Sequence, residues 1–457
     1  MHGLLIGGAA SGVGKTTVTL GLMAALCRRG LRVQGFKVGP DFIDAGLHAA
    51  VTERPSHNLD GWLLPREEVQ VIFARHTANA DVAVVEGVMG LFDGLDGKSD
   101  SGSSAEVARW LGLPVLLVVD ASAVVRSAAA LVMGFETFDP TLRIAGVLFN
   151  RVGGSRHAEW LRDATASSCR SPMVGAIPWD AVIRIPERHL GLMTAETQPL
   201  DFGRVARLAD IVEAHADIDR LLAACRLSPP PEPPPERMCV PAIRCRIGVA
   251  RDEAFCFYYA ENLSRLESAG AILVPFSPLR DSRLPEALDG LYFGGGYPEV
   301  HGAALAANVS MRESIRVQAA SGRPAYAECG GFMYLMEALQ DPQGRWHEMV
   351  GWFPVQASFP AGGLTLHYAR VRVEEECCLG PCGTEARGHE FHRSRMSEMP
   401  PSVERVLAVA EAPGDTWRPE GYRRGSVLAT WIHQHFGSQP SMPTYFAQAC
   451  HSARVKT

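Results

Sequence analysis

The hydrophobic pattern of the chain consists of two successive series of short apolar runs separated by amphipathic stretches. In the first series the apolar runs lie at 4–6, 33–36, 82–85, 115–119 and 144–148. The second series has a helical stretch near 261–269 and apolar runs at 247–250, 272–275, 290–293 and 325–327. Apolar runs that alternate with helical segments are typical of sheets covered by helices on both faces. The pattern therefore predicts an α/β protein with two doubly wound domains.

A proline-rich segment separates the two series. Residues 226–241 read RLSPPPEPPPERMCVP. A run so rich in proline forms neither a helix nor a central strand, and it acts as an extended spacer. We therefore predict an N-terminal domain over 1–225, a linker over 226–243 and a C-terminal domain over 244–457.

The composition narrows the classes of partner. The chain has 457 residues, of which 47% are hydrophobic and 21% charged, and its net charge is -6. Binding to a phosphate backbone needs clustered Lys and Arg, which the sequence does not show, so we expect no nucleic acid partner. The longest apolar runs, such as 113–119, are shorter than the roughly 20 residues that span a bilayer. We expect no membrane association, and a cytoplasmic location because the first residues do not have the layout of a signal peptide.

The segment GGAASGVGKTT, at 7–17, follows an apolar run and precedes a helical stretch. In such a loop the backbone N–H groups bind phosphate oxygens, Lys15 reaches the terminal phosphates and the Thr16 hydroxyl binds Mg²⁺. Ala9 stands where the usual pattern has its first glycine, and the remaining glycines still supply backbone freedom. The predicted ATP-binding residues are Gly12, Gly14, Lys15, Thr16 and Thr17.

Charged residues follow the next two predicted strands. Lys37, Asp41 and Asp44 come after the second apolar run, and Glu86 ends the third. Open α/β sheets bind ligands at the carboxyl ends of their strands, and carboxylates beside a triphosphate suit Mg²⁺. We predict that Lys37, Asp41 and Asp44 serve the synthetase reaction and its substrate. The predicted metal ligands are Thr16, Glu86 and Asp41.

These N-terminal segments resemble the synthetase branch of the P-loop proteins, which includes dethiobiotin synthetase and the septum-site ATPases. Ala10 stands where some of those families carry a signature lysine. The resemblance implies phosphoryl transfer to a carboxylate.

The segment PAYAECGG, at 324–331, predicts a short strand that runs into Cys329 and then a helix. This geometry exposes a nucleophile at a sharp turn, and a helix N-terminus and a nearby imidazole are expected to lower the thiol pKa. We expect His433 to supply the imidazole, with His435 as the alternative. Backbone N–H groups can stabilise a developing oxyanion, and the candidates here are Gly295, Gly296 and Gly330.

The order of strand, three glycines, elbow cysteine and late histidine resembles the class I glutamine amidotransferase domain over about 245–440. The resemblance implies hydrolysis of glutamine through a cysteinyl acyl-enzyme, with release of ammonia. His435 occupies the position of the usual third triad member, a glutamate, so the identity of that member is open. Glu390, in the segment GHEFHRS, is a candidate replacement.

Taken together, KVGPDFID, EGVMGLFDG, GGGYPE, ECGGFMYL and GHEFHRS resemble the cobyrinic and hydrogenobyrinic acid a,c-diamide synthase family over essentially the whole chain. The resemblance implies amidation of the a and c acetates of a corrinoid through acyl phosphates, with ATP and glutamine as co-substrates and Mg²⁺ as cofactor. The presence of cobalt in the macrocycle and a homodimeric assembly both stay open. The alternatives are cobyric acid synthase, an amidase for another tetrapyrrole such as nickel-sirohydrochlorin, and a P-loop ATPase switch with a non-catalytic second domain.

Overall fold

The computed structural model describes residues 1–183, 185, 187–188, 191–192, 200–227, 243–360, 363–412, 414 and 416–455. It divides into two compact units, Met1–Glu236 and Arg237–Thr457. This division falls within the predicted linker, but residues 228–242 of the linker lie outside the described residues. The domain boundaries therefore stay predictions.

The first unit alternates strands with helices. Its strands are β1 (His2–Gly8), β2 (Val33–Val38), β3 (His57–Leu59), β4 (Val82–Glu86), β5 (Val115–Asp120), β6 (Ile144–Val152), β7 (Met173–Pro178), β8 (Glu187–Arg188) and β9 (Gly191–Leu192). Its helices are α1 (Lys15–Arg28), α2 (Phe42–Thr52), α3 (Arg66–Thr77), α4 (Ser104–Leu111), α5 (Ser127–Phe138), α6 (Ser155–Ser168), α7 (Phe202–His215) and α8 (Ile218–Ala224).

Seven of these strands form one parallel sheet in the order β3-β2-β4-β1-β5-β6-β7. Every residue of β2 and β4 is buried, as expected for strands with helices on both faces. The carboxyl ends of β1, β2 and β4 are neighbours, because Glu86 pairs with Ile6 on one side and with Lys37 on the other. This edge gathers the charged residues that follow the strands.

The second unit has more strands than the sequence pattern predicts. Its strands are β10 (Cys245–Ala250), β11 (Ala271–Phe276), β12 (Gly290–Phe293), β13 (Ala325–Glu328), β14 (Met336–Gln340), β15 (Trp346–Glu348), β16 (Phe353–Ser358), β17 (Thr365–Val373), β18 (Glu385–His392), β19 (Arg395–Met396), β20 (Glu404–Ala412), β21 (Trp417–Arg424), β22 (Val427–Thr430) and β23 (Ile432–Gln434). Its helices are α9 (Ala260–Ser268), α10 (Gly302–Ala307), α11 (Val309–Ala320), α12 (Gly330–Leu335) and α13 (Met442–Val455), with a 3₁₀ turn at Phe436–Ser438.

The main sheet of this unit has ten strands in the order β11-β10-β12-β13-β22-β21-β20-β17-β18-β23. The first five are parallel and contain the predicted strands, and the others add antiparallel pairs. The α/β class is therefore confirmed for both units. The sequence pattern missed the antiparallel part because strands such as β21, WRPEGYRR, lack a continuous apolar run.

A single residue, Trp431, separates β22 from β23, yet β23 pairs with β18 at the far edge of the sheet. The antiparallel strands must therefore curve round until the last of them meets the continuation of β22. This curvature brings His433 opposite His389. Among the described residues, no helix is both long and apolar enough to cross a membrane.

Two candidate active sites

The loop between β1 and α1 adopts a conformation that requires glycine. Gly12 and Gly14 have φ angles of 76° and 94°, in the left-handed region that glycine tolerates. A Cβ on Gly14 would lie 2.2 Å from Asn150 Nδ2, and the same amide donates a hydrogen bond to Val13 O at 2.9 Å. Asn150, at the carboxyl end of β6, therefore holds the loop in place, a role that the sequence alone did not reveal.

Lys15 begins α1, and its side chain folds over the loop. Its Nζ donates to Met89 O and to Ala10 O, the latter at 3.4 Å. Burial, and then the charge of Lys37, lower the pKa of Lys15. Thr17 lies half-buried in the first helical turn, which contains no acidic residue. The start of α1 therefore presents backbone N–H groups and a lysine, a combination that favours phosphate.

Four residues meet at the sheet edge beside Lys15, and we call them the carboxylate cluster: Thr16, Lys37, Asp44 and Glu86. Thr16 Oγ1 donates to Glu86 Oε1 at 2.7 Å and lies 3.4 Å from Asp44 Oδ1. Lys37 Nζ forms ion pairs with Glu86 Oε1 at 3.0 Å and with Asp44 Oδ2. The structure thus brings together four of the residues that the sequence singled out.

Burial and neighbouring charges both shift the pKa values of the cluster residues. Burial would raise the pKa of Glu86, but the Lys37 ammonium and a hydrogen bond from His48 hold that pKa well below its usual range. Burial, together with the nearby carboxylates of Asp41 and Glu86, raises the pKa of Asp44. Burial alone would lower the pKa of Lys37, but the negative charges of Asp44 and Glu86 outweigh this effect, so the pKa of Lys37 is raised. Lys37 therefore stays charged and Glu86 stays ionised.

His48 and Ser56 extend the cluster, and the sequence analysis missed both. His48 Nε2 lies 2.7 Å from Glu86 Oε2, and its Nδ1 lies 3.1 Å from Ser56 Oγ. Both residues are buried. His48 is four residues after Asp44 on α2, so both project from one face of the helix. That spacing was the signal that could have identified it.

Asp41 caps the helix that carries Asp44. Its Oδ1 accepts hydrogen bonds from Ile43 N at 2.8 Å and Asp44 N at 3.0 Å, so it caps α2. Within the described part of the chain, no hydrogen bond joins Asp41 to Thr16 or Glu86. The cap positions Asp44, and the role of Asp41 as a metal ligand stays a prediction.

The oxygen atoms of the cluster fit a magnesium ion. The Thr16 hydroxyl lies within hydrogen-bond distance of one carboxylate oxygen of Asp44 and one of Glu86. Mg²⁺ prefers oxygen ligands and is usually bound by one or two carboxylates together with substrate phosphates. The donor set is therefore of the type that this ion requires.

In the second unit, Cys329 occupies a strained turn between β13 and α12. Its backbone has φ 45° and ψ -100°, a conformation that non-glycine residues adopt only when the surrounding structure imposes it. Its N–H donates to Thr430 O at 2.8 Å, and its Sγ lies 3.6 Å from Phe391 O. The predicted elbow is therefore present, with the thiol held against β18.

The prediction of a lowered thiol pKa was wrong for Cys329. Burial, and then the carboxylates of Glu299 and Glu390, raise its pKa. The helix that follows, α12, has only six residues, so its dipole is small, and burial lowers the pKa of His433, which keeps that imidazole neutral. Deprotonation of this thiol therefore needs a base at the moment of reaction.

His433 is buried in β23, with a stacked ring on one face and a glycine against the Cε1 edge. The His389 ring stacks on it with centroids 4.9 Å apart at 20°, and a Cβ on Gly295 would lie 2.3 Å from its Cε1. Burial, and then the charge of His392, lower its pKa to about 3. His433 is therefore a neutral imidazole beside the elbow, whereas His435 Nδ1 accepts from Gly437 N at 3.1 Å and caps the 3₁₀ turn.

The prediction for the glycine loop after β12 is corrected at one residue. The N–H of Gly295 donates to Phe257 O at 3.2 Å, so Gly295 is withdrawn as an oxyanion donor. Its lack of a side chain instead makes room for His433. Gly296 and Gly330 lie together, because a Cβ on Gly330 would be 2.9 Å from Gly296 N. These two residues stay candidates for the oxyanion hole.

Glu390, the suggested third triad member, is engaged elsewhere. Its oxygens pair with His392 at 2.9 Å, with His367 at 3.2 Å and with Arg418. Glu328, immediately before Cys329, places Oε2 at 3.9 Å from His433 Nδ1. The sequence analysis missed Glu328, although its position next to the nucleophile was a signal.

Comparison with known proteins finds one family domain in each of the two units. The CobQ/CobB/MinD/ParA nucleotide binding domain matches residues 4–192, and the CobB/CobQ-like glutamine amidotransferase domain matches residues 246–441. The chain is 46% identical over 450 residues to the cobyrinate a,c-diamide synthase of Syntrophotalea carbinolica, with 98% of both chains covered. The chain belongs to the cobyrinate a,c-diamide synthase family.

Other members of the family are similarly close. The cobyrinate a,c-diamide synthase of Listeria monocytogenes is 42% identical over 450 residues, which cover 97% of this chain and 98% of that one. That of Dehalococcoides mccartyi is 41% identical over 452 residues, which cover 97% of each chain. The family resemblance predicted from the sequence is thereby confirmed. The carboxylate cluster lies in the nucleotide-binding domain and Cys329 in the amidotransferase domain.

Proposed function

We propose that this chain catalyses the ATP- and glutamine-dependent amidation of the a and c acetate carboxylates of cobyrinic or hydrogenobyrinic acid. The observation that carries the proposal is the near full-length identity of 46% to a cobyrinate a,c-diamide synthase. Each unit also has a site suited to one half of this reaction. A carboxylate must be activated before ammonia can displace its oxygen, so the two halves serve one product.

In the first unit, the N–H groups at the start of α1 and the Lys15 ammonium hold the phosphates of ATP. A substrate carboxylate oxygen attacks the γ-phosphorus, ADP leaves, and an acyl phosphate forms. Negative charge spreads over the phosphoryl oxygens during the transfer, and Lys15 and Lys37 supply positive charge that stabilises it. Ammonia then attacks the acyl carbon, and phosphate leaves as the amide forms.

We assign Thr16, Asp44 and Glu86 as the residues that hold Mg²⁺. When bound, the ion would neutralise charge on the β- and γ-phosphate oxygens. Lys37 orients both carboxylates through its ion pairs, and His48 orients Glu86. The cap that Asp41 provides fixes the start of α2, and with it the position of Asp44.

In the second unit, His433 accepts the proton of the Cys329 thiol, and the thiolate attacks the side-chain amide carbon of glutamine. The oxyanion that develops lies against the N–H groups of Gly296 and Gly330. His433 then returns the proton to the departing nitrogen, and ammonia leaves. Water hydrolyses the thioester to glutamate and regenerates the thiol.

The experiment that tests this division uses two nitrogen sources. Cys329→Ala should abolish amide formation from glutamine but retain it from ammonium, whereas Lys15→Ala should abolish both. The exposed Cys382 provides the control, because Cys382→Ala should keep both activities. Loss of the ammonium-dependent reaction in Cys329→Ala, without loss of fold, would contradict the two-site assignment.

Substrate identity needs a second assay. Each amidation replaces a hydroxyl by an amino group, so mass spectrometry of the products counts the amides formed on each tetrapyrrole acid. We expect two amides on cobyrinic or hydrogenobyrinic acid. Amidation of nickel-sirohydrochlorin in preference to both would favour the alternative amidase, and the absence of any ATP-dependent amide would favour the ATPase switch. The homodimer stays a prediction that analytical ultracentrifugation can check.

A further inference from the structure

Glu328 is a buried carboxyl group held by three hydrogen-bond donors. It ends β13, and only 1% of its surface is exposed. Tyr326 Oη donates to Glu328 Oε1 at 2.7 Å, the backbone N–H of Gln434 donates to the same oxygen at 3.1 Å, and Tyr292 Oη donates to Oε2 at 3.2 Å. Because these donors come from three strands, the carboxyl group has little freedom to rotate.

The His433 imidazole lies next to this carboxyl group, with its Nδ1 as the nearest ring nitrogen. His389 stacks on one face of the ring, and Gly295 lies against its Cε1 edge, so both restrict the orientation of the ring. Its Nδ1 lies 3.9 Å from Glu328 Oε2. The N–H of the next residue, Gln434, donates to Glu328, so the carboxyl group holds the backbone of this segment and lies beside its ring.

We propose that Glu328 is the third member of the catalytic triad, a positioning residue that accepts the Nδ1–H of His433. This hydrogen bond would select the tautomer whose Nε2 is unprotonated and can take the Cys329 proton. The inference rests on the proposed roles of Cys329 and His433. The present 3.9 Å is longer than a hydrogen bond, and catalytic hydrogen bonds commonly tighten in the Michaelis complex.

Glu328 fits this role better than Glu390 does. Glu390 is engaged by His367, His392 and Arg418, whereas both oxygens of Glu328 accept from neutral donors. A carboxylate held by neutral donors can still stabilise the imidazolium that forms when His433 takes the thiol proton. In class I glutamine amidotransferases the usual glutamate follows the histidine in the chain. Here Glu328 would precede the nucleophile Cys329 instead.

The ionisation of Glu328 offers a specific readout. Burial raises its pKa to about 8, so the carboxylate form, which accepts the Nδ1–H, grows as the pH rises through that value. The titratable groups that face it are Tyr258, Tyr292, Tyr326, Cys329 and His433. We expect kcat for glutamine cleavage to rise with pH near 8 in the unaltered chain.

The test compares Glu328→Gln with the same substitution at the exposed Glu337. Glutamate release gives kcat and KM for glutamine, and ammonium-dependent amide formation reports on the first unit. In Glu328→Gln the new amide can donate to Nδ1 but cannot neutralise an imidazolium. We expect kcat to fall by about 10²-fold or more, KM to stay within about twofold, and the rise near pH 8 to disappear. Glu337→Gln should match the unaltered chain.

Glu328→Asp separates charge from packing. It keeps a carboxylate, so we expect it to regain part of the kcat lost in Glu328→Gln and to restore a pH dependence. Unchanged kcat in Glu328→Gln, an equal loss in Glu328→Asp, or a parallel loss of ammonium-dependent synthesis would each overturn the proposal. Failure of the proposed function is distinguishable, because glutamine cleavage would then survive in Cys329→Ala or His433→Asn, whatever the result at Glu328.

Discussion

Replacing Lys37 with methionine removes the cation that two buried carboxylates share. The Lys37 side chain is only 4% exposed, and it pairs with Glu86 at 3.0 Å and with Asp44. Methionine has a similar length but no charge. In Lys37→Met the two carboxylates would therefore face each other in the interior without the ammonium between them.

The free energy of unfolding that Lys37→Met should lose follows from this burial. Removing one partner of a buried ion pair typically destabilises a protein by about 3–5 kcal/mol, because the remaining charge is left uncompensated. For a unit of this size, each kcal/mol lowers Tm by about 2–4 °C, so the melting temperature of the first unit should fall by roughly 6–20 °C. Adding Glu86→Gln removes the orphaned charge of Glu86 and leaves Asp44, whose raised pKa favours its neutral form, so the double variant should be less destabilised than Lys37→Met alone.

Differential scanning calorimetry of the full chain measures this effect. The transition of the first unit is identified in the unaltered chain as the one that shifts upward when ATP and Mg²⁺ are added. Lys98, an exposed lysine, provides a matched control, and Lys98→Met should leave Tm nearly unchanged. A Lys37→Met shift no larger than that of Lys98→Met would refute the view that Lys37 compensates the buried carboxylates.

Three further predictions concern backbone space and burial. Gly14→Ala would place a Cβ 2.2 Å from Asn150 Nδ2 at a φ of 94°; amide formation should fall at least about tenfold with glutamine or ammonium, while Gly134→Ala, where nothing lies within 4 Å, should leave the rate unchanged. Gly421→Ala would meet Leu407 Cγ at 2.2 Å with φ 69°, and urea unfolding should show a loss of about 1–3 kcal/mol. Burial lowers the pKa of His435 from 6.5 to about 3, so the stability that its neutral form provides is complete above pH 6.5 and is lost as the pH falls toward 3. At pH 5 this loss is about 2 kcal/mol; His435→Asn should flatten the pH dependence of unfolding, and an unchanged slope would contradict the assignment.

The parts of both sites that could be predicted are those that the chain encodes locally. The phosphate loop and the cysteine elbow each lie within about ten residues, so their strand, turn and helix are visible in the order of apolar, small and reactive residues. The alternation of strands and helices likewise predicted the parallel sheets. Lys37 and Glu86 could be placed together because parallel strands share one carboxyl edge.

The missed features depend on contacts between distant segments. Asn150 reaches Val13 across 137 positions of sequence, and Glu328 reaches His433 only because β23 returns to the elbow. Gly295 shows a subtler difficulty, since the sequence marks a glycine but not whether its N–H or its missing side chain matters. The pKa of Cys329 was also mispredicted. Burial raises this pKa, and a linear motif does not show which residues will surround the thiol.

The single-residue step from β22 to β23 has a consequence for the timing of biosynthesis. During translation the nucleophile elbow emerges about a hundred residues before the segment that carries His433, whereas β18, with which β23 pairs, has already emerged by then. On the proposed assignment, an unfinished chain has a thiol without its base and cannot cleave glutamine. Glutamine cleavage therefore begins only when nearly the whole chain has been made, after the synthetase unit that consumes the ammonia.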